Sequence, residues 1–268
     1  MPRQHEIHHR PKILYSCYFT TSRTGEQFVP EHILSYQLAG SLITNDGNKV
    51  NTFSEGSLWL SKRYRLVKFR KEIPANGQFK SLSVTLDQDM LRSFSIEYGY
   101  QAAKHSADNA IVALQPNQFY KSYLDSLQPY EQLAEPGNEA LLSLKVREAI
   151  MLLLKYNPEL KDVLFDFAEP GKLDLEAFMN RNFHFNVQLR RFAYLTGRSL
   201  ATFKRDFEKI FNLSPSRWLQ QRRLQEAHYL IKEKGKAPSE AYLEVGFEDL
   251  SHFSFAFKKM YGVAPSRI

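Results

Sequence analysis

The stretch FKRDFEKIFNLSPS, Phe203 to Ser216, returns fifty residues later as FSFAFKKMYGVAPS, Phe253 to Ser266. Phe203, Phe207 and Phe211 recur as Phe253, Phe257 and Tyr261, and each run then meets a residue that tolerates the left-handed conformation, Asn212 or Gly262. Aromatics four apart lie on one face of a helix, so each copy predicts a helix with one buried side and one free side. The repeat runs from Val187 to Pro265 and is a structural duplication rather than compositional noise.

A shorter helical pattern precedes each aromatic helix, at 187–195 with Gly197 in the turn and at 238–245 with Gly246. Short helix, glycine-bearing turn and second helix make a helix-turn-helix, whose second helix can enter the DNA major groove. Between the copies, 214–232 reads as a connecting helix, with Pro215 in its first turn and Leu224, Ala227, Leu230 and Ile231 along an apolar side. A rigid connector of this kind sets two reading helices on successive major grooves, about 34 Å or 10 base pairs apart.

In the second copy Gly246-Phe247, Ser251-His252-Phe253, Phe257-Lys258, Gly262 and Pro265-Ser266 resemble the AraC family of bacterial transcription regulators. In the first copy the resemblance rests on Ala193, Gly197, Phe203, Phe207, Pro215 and the spacing from Arg223-Leu224 to Ala227. It is close over about the last hundred residues and loose before them. Ala241 and Tyr242 depart from the larger-then-small pair common in that family.

Charge is partitioned along the chain. From Pro170 onward 17 Lys and Arg stand against 10 Asp and Glu, while the preceding 169 residues carry 19 of each, so the whole excess of +7 sits with the duplicated motif. A basic excess that coincides with helix-turn-helix patterning points to double-stranded DNA as the partner. The longest apolar run, Ala149 to Leu154, is too short to span a membrane, and the basic N-terminus lacks an export signal. The single Cys17 forms no intrachain disulfide, in keeping with a cytoplasmic protein.

The N-terminal part has a different texture. Residues 1–9, with His5, His8 and His9, read as a solvated arm or, alternatively, a metal-binding one. Strand patterns follow at Leu14 to Phe19, 32–38, 41–44, 57–60, 66–69 and 82–86, separated by turn signals at Ala39-Gly40, 45–48, Glu55-Gly56 and 75–77. Many short strands at this spacing predict a sandwich or barrel. The order resembles the cupin-like jelly roll that often precedes the DNA-binding part in AraC-type regulators. Cupin metal centres use two close histidines, a carboxylate and a later histidine; here His32 stands alone, with no second histidine before His105. No cofactor or metal is therefore expected, and His32 reads as a hydrogen-bonded surface or strand residue. Lys62, Arg63, Arg65, Lys68, Arg70 and Lys71 read either as an exposed strand guarded against edge pairing or as an anion-binding or interdomain surface.

After Leu86 the pattern turns helical. Helices are predicted over 117–133 and 139–156, divided at Pro136-Gly137 and therefore antiparallel. The resemblance implies that such helices pack on the jelly roll and often make a homodimer; plain burial against the barrel is the competing reading. Residues 158–168 form a short amphipathic stretch, 169–172 a linker, and 173–181 opens the basic domain. The expected fold is α+β with two domains: a cupin-like jelly roll with a following helix pair at 1–168, for sensing or dimerisation, and an all-α domain at 173–268 with two helix-turn-helix motifs joined by a linker helix.

For the first reading helix, near 199–211, Ser199 is the expected N-cap, with Arg198 just before it and Ala201, Thr202, Lys204 and Arg205 outward or flanking. The resemblance implies that Ala201, Lys204 and Arg205 meet base edges; Lys204 or Arg205 suits guanine O6 and N7, and Thr202 a base or phosphate. For the second, near 249–261, Leu250 suits a thymine methyl, Ser251 and Ser254 a base or phosphate, and Lys258 and Lys259 the backbone, while Phe255 faces outward or packs against the protein. The first motif is expected to supply most of the specificity and the second position and affinity. The sequence thus predicts a sequence-specific transcription regulator, not an enzyme; the resemblance implies activation through RNA polymerase, with an effector unknown. The alternatives are a non-specific architectural nucleic-acid binder and a cupin enzyme with an appended helical domain. A DNA-repair methyl acceptor needs reactive cysteines that Cys17 alone does not supply.

Overall fold

The computed structural model describes residues 13–18, 23–74, 77–104, 109–132 and 138–268. The arm at 1–9 with its three histidines, Phe19, Ala75-Asn76, His105 and Pro136-Gly137 lie outside the described residues. The chain forms two compact units, one within residues 1–167 and the other taking in Ala168–Ile268. The first is sheet-rich with helices and the second helical, the α+β arrangement expected.

Among the described residues the strands are β1 (Ile13–Tyr18), β2 (Arg23–Val29), β3 (His32–Ala39), β4 (Ser41–Asn45), β5 (Val50–Phe53), β6 (Leu58–Ser61), β7 (Arg65–Glu72), β8 (Phe79–Leu86) and β9 (Ile111–Leu114). They make one sheet in the order β1-β8-β3-β6-β9 and a second in the order β2-β7-β4-β5. Antiparallel register places Ile13, Val84, Leu34, Leu60 and Val112 in one row across the first sheet. Because successive residues alternate faces, that row puts a band of aliphatic side chains on one side. The β4–β5 hairpin closes where the sequence places Asn45-Asp46-Gly47-Asn48, with Asp46 Oδ1 accepting from the backbone of Asn48 and Lys49 at 2.9 and 2.7 Å.

Helices α1 (Gln88–Tyr98), α2 (Gln118–Ser126), α3 (Glu139–Tyr156) and α4 (Lys161–Leu164) complete this unit. Their buried side chains, among them Phe94, Tyr120, Tyr123, Val146, Ile150 and Leu153, join Leu34, Leu60 and Val84 in one hydrophobic core. Tyr120 donates to Leu152 O and Tyr123 to Lys145 O, so α2 and α3 run antiparallel as expected.

Two expectations are corrected here, and a third is narrowed. The helix predicted over 117–133 stops at Ser126, and a 3-10 turn follows at Gln128–Gln132. Pro129 lacks the N–H that an α-helix needs and disfavours the α conformation in the residue before it. The basic run at 62–71 is not an exposed edge: Lys62 and Arg63 are buried, and β7 lies between β2 and β4. His32 takes the strand alternative rather than the surface one: it is buried at the start of β3, where its Nδ1 accepts from the backbone N of Arg63 at 3.3 Å.

The second unit contains α5 (Leu175–Asn182), α6 (Leu189–Leu195), α7 (Leu200–Phe211), α8 (Pro215–Lys232), α9 (Pro238–Glu244) and α10 (Leu250–Tyr261). The last five, α6 to α10, are the helices the repeat predicts, in the order short, long, connector, short, long.

Candidate nucleic-acid interface

Each reading helix is fixed at both ends by its own sequence. Ser199 Oγ accepts from Thr202 N at 3.2 Å and Asp249 Oδ1 from His252 N at 2.6 Å, so α7 and α10 have matching N-caps. Asn212 and Gly262 end them in the left-handed conformation, at φ 53° and 78°. Phe203, Phe207, Phe253 and Phe257 are fully buried. Consecutive rings within each copy lie 5.6 and 4.3 Å apart in the first and 5.5 and 4.7 Å apart in the second.

Helix α8 serves both copies, one from each half. Trp218 packs on Phe207 and Phe211, with centroids at 5.5 and 4.6 Å, while His228 stacks on Phe257 and Tyr261 at 6.2 and 4.6 Å. Between these contacts Arg223 donates to the carbonyls of Phe183, Phe185 and Gly246 at 2.8 to 2.9 Å. One guanidinium thus ties the segment before α6 to the turn before α10, and its planar fork suits three fixed acceptors.

The two turn glycines are backbone requirements. Gly197 has φ 62° and Gly246 φ 95°; a Cβ at the first would lie 2.5 Å from Gly171 C, and at the second 2.4 Å from His184 O. Each reading helix is therefore approached through a turn that no other residue fits.

The candidate residues divide into those held and those offered. Arg198 is held: its side chain is only 7 % exposed, paired with Asp206 at 3.2 Å and donating to Leu173 O and Thr196 O. That hydrogen bond, with the nearby Arg205 charge, keeps the Asp206 carboxyl below the usual carboxylate range. Ser199 is exposed but spent as the cap, also donating to Thr202 Oγ1 at 3.0 Å, and Thr202 is half-buried. Ala201 and Lys204 are exposed, and Arg205 is 65 % exposed, 3.6 Å from Asp206. In the second copy Leu250, Ser251, Lys258 and Lys259 are exposed and Ser254 half-buried. Phe255 does not pack against the protein; it is 71 % exposed.

A groove of about 720 Å³ also opens beside the N-terminal ends of α6, α8 and α10, lined by Gln188, Arg217, Gln220, Glu248 and His252 among others. Gln188 caps α6, Arg217 and Gln220 lie one turn apart on α8, Glu248 precedes α10 and His252 lies in its first turn, so only the α8 pair is marked as neighbours by sequence spacing.

Residues 192–268 match a family described as a helix-turn-helix domain, and residues 32–163 one described as an ExsA N-terminal regulatory domain. The chain is similar to the HTH-type transcriptional regulator ExsA of Pseudomonas aeruginosa, 30 % identical over 139 residues that make up 51 % of this chain and 50 % of that protein. It is similar also to the virulence regulon transcriptional activator VirF of Yersinia enterocolitica, 28 % identical over 130 residues, 47 % of this chain and 48 % of the relative. The chain spans about half the length of the curated relatives it matches. Among solved structures, an apo form of ToxT from Vibrio cholerae is similar over 96 % of this chain and 97 % of its own, with 14 % identity and a TM-score of 0.46.

Proposed function

We propose, from the premise that this chain belongs to the AraC family of transcription regulators, that it binds double-stranded DNA sequence-specifically through α7 and α10 and activates transcription. The observation that carries the reading is the shared seat of the two reading helices: both pack on α8, and Arg223 locks the turn of the second to the base of the first. Two helices held by one connector suit two successive major-groove segments about 10 base pairs apart. In the first segment Lys204 and Arg205 meet guanine edges, with Ala201 and Thr202 beside them. Arg198 and Ser199 position that helix, and Leu250, Ser251, Ser254, Lys258 and Lys259 engage the second segment. Arg217 in the groove holds the phosphate backbone between them.

Activation is supported by the likeness to VirF, a virulence regulon transcriptional activator, and implies a contact with RNA polymerase. The relatives are transcription regulators, which favours this reading over an appended cupin enzyme. Among the described residues no helix is long and apolar enough to cross a membrane, and we place the protein in the cytoplasm. Residues 169–172 serve as the linker between a domain at 1–168 and the DNA-binding domain at 173–268. The first domain pairs two copies through the face of α3 that carries Leu141, Leu144 and Met151, all exposed.

Selection by the full-length protein from random duplex DNA at near-physiological salt tests the reading. The expected winner is an asymmetric motif in two segments about 10 base pairs apart, and a second copy of it accompanies the dimer. Binding without any enriched sequence, weakening only with salt, sinks the sequence-specific reading in favour of an architectural binder.

A further inference from the structure

The fifty-residue repeat pairs each outward position of α7 with one of α10: Ala201 with Ser251, Lys204 with Ser254 and Arg205 with Phe255. The last pair is not merely aligned. Phe203 and Phe207 flank Arg205 by two residues on each side, as Phe253 and Phe257 flank Phe255, all four rings are buried, and both helices start from a side-chain cap bonded three residues on. Positions 205 and 255 therefore leave their helices on the same side relative to the core. Both reach solvent, Phe255 to 71 %.

An arginine at this place carries a fork of donors suited to guanine O6 and N7. Phenylalanine has neither donor nor acceptor, and the apolar group that a base pair presents in the major groove is the C5 methyl of thymine. At 100° per residue, Ser251 and Ser254 lie between Leu250 and Phe255 on the outward face of α10. Two short side chains there let the helix sit deep enough for the ring to reach the base edges. We propose that Phe255 is the specificity-determining residue of the second motif and reads thymine methyl groups, so that the two motifs read chemically opposite features: donors to guanine from α7, apolar contact to thymine from α10. This rests on the DNA-binding reading above and sharpens it, since the second segment then carries specificity of its own.

The test uses the full chain and a selected duplex in which uracil replaces thymine one position at a time, which removes the methyl and keeps the base pair. Wild type is expected to lose about four-fold in affinity, the equivalent of one buried methyl, at one or two thymines. Those thymines lie about 10 base pairs from the guanines whose recognition depends on Arg205. F255A is expected to bind thymine and uracil duplexes equally, at the level of wild type on uracil, with its salt dependence unchanged. F255L keeps part of the discrimination. Equal wild-type affinity for both duplexes, on a site it still selects, overturns the inference and leaves the DNA-binding reading intact. So does a loss in F255A that is the same on both duplexes, which marks a wedge between base steps. Unchanged affinity in F255A overturns it in favour of a protein partner for this ring. Absence of any selected site overturns the DNA-binding reading itself, and this inference with it.

Discussion

Arg198 and Arg205 stand seven residues apart on either side of the same helix start, and their surroundings give them different work. Arg198 is enclosed by Asp206 and two carbonyls, whereas Arg205 is 65 % exposed and lies 3.6 Å from the same carboxylate. A pair that distant across an exposed surface holds the side chain only weakly, so of the two arginines it is Arg205 that the proposed reading assigns to a base. K204A/R205A is expected to lose about ten- to a hundred-fold in affinity for the selected site and to relax the preference for guanine, measured as Kd on matched and guanine-substituted duplexes. R198A is expected instead to lower the melting temperature of the C-terminal unit, because it leaves Asp206 without its main partner. K258A is expected to weaken binding to all sequences alike and to reduce the slope of log K against log salt by about one. His32 makes a separate residue-scale case. Burial first, then the Arg63 and Lys62 charges, lowers its pKa to about 3 in the fold, against about 6.5 in an unfolded chain. Between those values the unfolded chain binds the extra proton, so stability falls as pH is lowered through the window, by up to about 1.4 kcal/mol per unit, and is unaffected above it. H32N keeps an acceptor for the Arg63 backbone N–H and is expected to flatten that part of the slope in urea titrations from pH 4.5 to 7.5.

At the scale of elements, what could be read in advance was what local chemistry decides. Ser199, Asn212 and Gly262 mark the ends of α7 and α10 because caps are chosen by backbone conformation, and Phe203 and Phe207 mark the core because a helix repeats its faces. What escaped depends on partners distant in sequence. The four-residue β9 has too few residues to show a period and exists by pairing with β6. Lys62 and Arg63 carry a surface composition and yet are buried, since Arg63 donates to Asp166 O about a hundred residues on. In the site, Arg198 looks like a base reader by position until Asp206 and Leu173 close around it. Pro129 is a local signal of the break, because its nitrogen carries no hydrogen to donate, but the helical spacing of Tyr120, Tyr123, Leu127 and Tyr130 runs across it. The three hydrogen bonds of Arg223 belong with the distant contacts, and they yield a prediction at this scale. R223A removes the donors that hold the carbonyls of Phe183, Phe185 and Gly246. The two reading helices keep their own cores but lose their fixed separation. R223A is therefore expected to bind either segment alone as wild type does, while its affinity for the two-segment site falls toward that of one segment. G246A, which brings a Cβ to 2.4 Å from His184 O at φ 95°, is expected to give the same outcome with a loss of about 1–3 kcal/mol in unfolding free energy.

At the scale of the whole molecule the chain separates charge from apolar surface. The basic excess lies beyond Pro170, whereas the exposed aliphatic stripe of α3 lies before it. That helix is apolar on more than one side: Val146, Ala149, Ile150 and Leu153 enter the core, and Leu141, Leu144 and Met151, at spacings of three and seven, form a second row facing out. Burial against the sheet accounts for the first row only. In the proposed dimer a second copy offers the same row to itself about a two-fold axis, an isologous contact that needs no further partner and that doubles the number of reading helices on one DNA. Leu144, 62 % exposed, is the residue whose change separates pairing from folding. L144E adds a charge that solvent accommodates in the single copy, so its unfolding midpoint is expected to stay within about 0.5 kcal/mol of wild type, while sedimentation equilibrium shows monomer where wild type shows dimer. On a duplex bearing one site the variant is expected to bind as wild type does. On a duplex with two sites wild type gains about a hundred-fold from linkage and L144E gains nothing, because the second site is then reached from solution rather than from a tethered neighbour. If wild type itself sediments as a monomer at concentrations that saturate two-site DNA, the row on α3 is not a pairing face and the linkage gain disappears with it.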